Sequence, residues 1–93
     1  MSDLLALRDQ FHSILTTYCQ ENRSPPDYAA WVAELHARLL AAINAERTQR
    51  HKPAITLDTL ERTEQLALGH TDYATKFPFY CAELVLDQLG PPP

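Results

Sequence analysis

Hydrophobic positions recur along this chain at helical spacing, and they do so most densely from Thr71 to Leu89. There Tyr73, Phe77, Tyr80, Cys81, Leu84 and Val85 fall on one helical stripe, and Phe79, Ala82, Leu86 and Leu89 fall on a second. Only a thin seam through Lys76, Glu83 and Asp87 is charged. A helix apolar on two faces has to be covered on most sides, so this stretch is predicted to be the central element of the fold. Pro78 lies inside it and removes one backbone hydrogen bond, which predicts a kinked but continuous helix.

Three further helices precede it. Leu4, Leu7, Phe11, Ile14 and Tyr18, widened by Leu15 and Cys19, make an amphipathic stripe on a first helix from a Ser2 cap to about Asn22. After a break at 22–26, with Ser24 as cap, Pro25 in the first turn and Asp27 at the third position, a second helix carries Tyr28, Val32, Leu35, Leu39 and Ile43 to about His51. Lys52-Pro53-Ala54 ends it, and Thr56 caps a short third helix whose weaker stripe is Leu57, Leu60, Ala67 and Leu68. Gly69 and Gly90 each follow an apolar run, where a left-handed helix end would use glycine. The expected fold is therefore all-α: a small four-helix bundle in one domain over residues 1–90, followed by a Pro-rich tail at 91–93.

Composition sharpens this picture. Leu and Ala dominate the apolar set, with few β-branched residues, which favours helix over sheet. A 93-residue chain buries a limited core, so dimerisation through the second face of the last helix is expected to help it. The formal charge of −4 supplies no global basic field for nucleic acid or an anionic membrane. No apolar run reaches the length of a membrane span and no signal peptide is evident, so a cytoplasmic location is expected. Cys19 and Cys81 read as packed thiols in such a compartment.

Candidate chemistry is sparse. Glu34 with Arg38, Glu46 with Arg50, Asp58 with Arg62, and Asp72 with Lys76 are acid-before-base pairs at i, i+4, the favourable order on a helix face. Glu83 and Asp87 break that rule. They are like charges near a helix C-terminus, where they oppose the dipole and call for a cation from a neighbouring helix or from a basic partner. Asp9, His12 and Cys19 flank one side of the first helix but lack the convergent ligands or spacing of a metal site. Cys81 lies in the most apolar segment, where burial makes a thiol inert, and no glycine-rich phosphate loop is present.

These patterns predict a non-enzymatic protein without cofactor or metal that works by protein–protein interaction, as a homodimeric regulatory or adaptor module. The expected interface is Phe79, Glu83, Leu86, Asp87 and Leu89. Two alternatives stand beside it. One is a nucleic-acid-binding regulator that contacts phosphate through Arg47, Arg50, His51 and Lys52, although cations there also complement the end of the second helix. The other is a sensor of a small apolar ligand, held between helices by Tyr73, Phe77, Phe79 and Tyr80.

Overall fold

In a computed structural model, which describes residues 3–21, 24 and 26–88, the chain forms α1 (Asp3–Glu21), α2 (Tyr28–Gln49), α3 (Leu57–Leu68) and α4 (Tyr73–Leu86). The architecture is a small all-α bundle. α4 packs against each of the other three helices, most extensively against α1, and it runs through Pro78 as one helix. α1 and α3 do not pack on each other. Among the described residues, no helix is long and apolar enough to cross a membrane.

The core follows the stripes. Leu7, Phe11, Leu15 and Tyr18 of α1 and Leu35, Leu39 and Ile43 of α2 are buried against Phe77, Cys81, Ala82 and Val85 of α4. On α3 the buried line is Leu60, Thr63 and Ala67, whereas Leu57 and Leu68 are exposed. The expected stripe through those two leucines is thus rotated. Thr63 can occupy a core position because its hydroxyl donates to the Thr59 carbonyl at 2.9 Å and so is not itself left unpaired. Cys81 is packed as expected, but Cys19 is exposed at the end of α1.

The helix ends obey the capping rules with some changes of residue. The Thr56 hydroxyl accepts the Thr59 amide, as its position predicts. α2 is capped by Asp27, whose carboxylate accepts the Ala30 amide, so the helix starts later than a Ser24 cap would give. Ser2, Pro25, Leu89, Gly90 and the 91–93 tail lie outside the described residues.

Gly69, the one glycine among the described residues, does not take the left-handed conformation; His51 at φ 58° and Asp87 at φ 54° do. Each closes a paired-hydrogen-bond helix end. Lys52 N–H reaches the Arg47 carbonyl and His51 N–H the Thr48 carbonyl at the end of α2, while Gln88 N–H reaches the Glu83 carbonyl and Asp87 N–H the Leu84 carbonyl at the end of α4.

The rotated α3 stripe has a direct check by urea unfolding. Leu60→Ala should cost about 2–5 kcal/mol as a fully buried leucine. Leu57→Ala should cost under about 1 kcal/mol because 45% of its surface already faces water. Equal losses at the two positions would contradict the observed face.

Candidate functional site

The two charged groups singled out by the sequence meet each other. Arg47 leaves α2 as a 5% exposed side chain and reaches the last turn of α4. Its Nη1 donates to the Leu84 carbonyl at 2.6 Å and to Asp87 Oδ1 at 2.7 Å, and its Nε donates to the Pro53 carbonyl at 2.7 Å. Lys52 Nζ sits 3.0 Å from Asp87 Oδ2. Two cations therefore stand at the negative end of α4, where the helix dipole and the Asp87 carboxylate both favour them. The hydrogen bonds from Arg47 and then Lys52 hold the Asp87 carboxyl below its ordinary value.

Asn44 adds a second tie on the same loop. Its side chain accepts the Ile55 amide at 2.8 Å and donates to the Ile55 carbonyl at 3.2 Å. Arg50 is turned back along α2 onto Glu46 at 2.7 Å, and His51 is the exposed left-handed residue of the helix end. The cluster at 47–52 thus serves as a latch between α2, the following loop and α4.

The rest of the expected interface is partly enclosed. Phe79 and Leu86 are half-buried, with Ala82 between them fully buried, and Leu89 lies outside the described residues. Glu83 is also half-buried. Burial pushes its carboxyl up, and Lys76 pulls it in the opposite direction. Of the four i, i+4 pairs, Glu34–Arg38, Glu46–Arg50 and Asp58–Arg62 form ion pairs, while Asp72 stands at the start of α4.

A cleft opens elsewhere, where α1 and α3 stay apart. It encloses about 350 Å³. Leu15 and Cys19 form its α1 wall, Trp31, Val32 and Leu35 its α2 wall, and Tyr73 of α4 closes the end. Tyr28 and Leu68 stand at the rim with 71% and 55% of their surface exposed. A second groove of about 400 Å³, between α1 and the start of α4, shares Leu15, Cys19 and Tyr73 with it.

Trp31 is held in an aromatic ladder, with Tyr28 stacked at 5.7 Å and Tyr18 at 5.3 Å between ring centroids. The Tyr18 hydroxyl donates to the Trp31 carbonyl at 2.8 Å. The buried indole N–H of Trp31 has no hydrogen-bond partner among the described residues. Such a donor costs about 1–3 kcal/mol, so stacking rather than hydrogen bonding fixes the ring.

Among the described residues, Glu64 is the one charged side chain lining the cleft. Its Oε1 lies 3.0 Å from His36 Nε2, and its Oε2 accepts the Tyr73 hydroxyl at 2.8 Å. Burial, and then the Glu64 hydrogen bond, push the Tyr73 phenol well above its ordinary value. Among the described residues, His36 is the only basic side chain within ion-pair distance of Glu64.

Periodicity placed Val32 and Tyr73 on helix faces but gave no sign that α1 and α3 would part to expose them. Glu64 drew no attention in the sequence because nothing at i±4 marks it; its partners come from two other helices.

The aromatic set first considered for a ligand divides. Tyr73 reaches the cleft and stacks on Phe77, which is core, while Tyr80 bonds His70 Nε2 at 3.0 Å on another surface. Among the described residues no three His, Cys, Asp or Glu side chains come together to hold a metal ion. Burial drives the Cys81 thiol well up, so it is protonated and inert at neutral pH. Comparison with protein-family models, curated proteins and solved structures gives no match.

The latch makes two linked predictions. Arg47→Ala should cost about 2–4 kcal/mol, because the Leu84 and Pro53 carbonyls lose a buried charged donor. The folded Asp87 carboxyl is lowered, so its contribution is present above the unfolded carboxyl range near pH 4 and fades as pH falls through the folded value. Unfolding followed from pH 6 to pH 2 should therefore lose stability less steeply in Arg47→Ala than in wild type. Parallel curves would separate Asp87 from Arg47.

Proposed function

We propose that this chain is a non-enzymatic helical interaction module that binds another protein through the cleft between α1, α2 and α3. The observation that carries this reading is the exposed apolar rim of Tyr28 and Leu68 around a recess walled by Leu15, Trp31 and Leu35. An exposed aromatic and a leucine adjoining an apolar recess form contiguous apolar surface, the kind of site that commonly receives a partner's anchor side chain.

This moves the contact from the end of α4. Asp87 is already engaged by Arg47 and Lys52, and Phe79 and Leu86 are half-buried. The same engagement weakens the nucleic-acid alternative, because Arg47 is buried and Lys52 is paired. A cytoplasmic setting accords with this reading, in which Cys19 and Cys81 are both free thiols.

A photo-crosslinking amino acid placed singly at Leu68, Glu83 and Arg50 in cells of the source organism distinguishes the surfaces. Position 68 should give a discrete protein adduct that Tyr28→Arg abolishes. Adducts confined to position 83 or position 50 would return the contact to the α4 seam or to the end of α2. An adduct of twice the chain mass at position 83 would favour the α4 homodimer.

A further inference from the structure

We propose that the cleft receives a lysine side chain of the partner, with its aliphatic stem against the apolar walls and its ammonium at Glu64; this rests on the cleft being the protein-binding surface. Several observations on the cleft agree on this occupant. Glu46, Asp58 and Asp87 each have an arginine or lysine partner in this fold, but among the described residues Glu64 has only His36 and the neutral Tyr73 hydroxyl. Its side chain is 15% exposed, so its charge sits in a poorly screened recess.

A carboxylate has about four acceptor sites, and two are taken here. The remaining sites lie one on each oxygen, within reach of the rotatable N–H donors of a compact ammonium. Tyr28, Trp31 and Tyr73 line the same recess and give an alkylammonium aromatic surface to lie against. The long apolar stem of lysine matches the rest of the lining, which Leu68 and Val32 continue to the rim.

The test follows amide, indole and methyl signals by NMR while Nα-acetyl-lysine methylamide is added, with Nα-acetyl-norleucine methylamide, which keeps the stem and lacks the ammonium, as the uncharged control. The lysine compound should move the Trp31, Val32 and Leu68 signals and bind about tenfold more tightly than the norleucine compound. Glu64→Gln, with its spectrum otherwise dispersed as in wild type, should bring the two to equal affinity. The comparison on wild-type protein stands even if that variant does not fold.

Equal binding of the two compounds to wild type would overturn the lysine assignment while leaving an apolar cleft. Absence of shifts with either compound, beside a position-68 crosslink, would also overturn it and leave the protein-binding reading in place. Absence of both shifts and crosslink would remove the two together.

Discussion

Burial of α4 on three sides is the constraint from which the rest of the structure follows. Phe77, Cys81, Ala82 and Val85 are fully enclosed, and their partners come from α1 and α2, while α3 leans on the same helix from another side. A helix in that position acts as a wedge. It keeps α1 and α3 from packing together, and the space left between them is the cleft. The recess is therefore a consequence of how the core is filled.

The C-terminal end of this wedge has to be held, because Glu83 and Asp87 oppose the helix dipole there. Arg47 and Lys52 answer that need from the end of α2. Arg47 also grips the Pro53 carbonyl, so one buried guanidinium joins two helices and a loop. Removing the partner of such a group is more damaging than the pair is stabilising, since polar atoms would be left buried and unpaired.

Much of the fold was legible in periodicity. Two apolar stripes on one stretch announced a central helix, the Leu7–Phe11–Tyr18 line announced α1, and Thr56 announced the start of α3. What escaped had physical reasons. The left-handed ends fall on His51 and Asp87, which accept that conformation because their neighbours' amides reach back into the helix, so glycine was a poor guide. Thr63 stood in for an apolar residue by bonding its own helix, and this hid the true face of α3. The pairing of Asp87 with Arg47, and of Glu64 with His36 and Tyr73, joins residues far apart in the chain. A gap between two helices leaves no signature in either helix alone.

The arrangement around the gap is best tested by a nitroxide attached to Cys19, the exposed thiol on the α1 wall, with Cys81 protected by its burial. Paramagnetic broadening of methyl signals then reads proximity across the cleft in solution. Strong broadening is expected at Val32 and Leu68, which face the same recess, and weak broadening at Leu57 at the far end of α3. Broadening of Leu57 as strong as that of Leu68, or none at Leu68, would mean that α1 and α3 do not flank a common cleft.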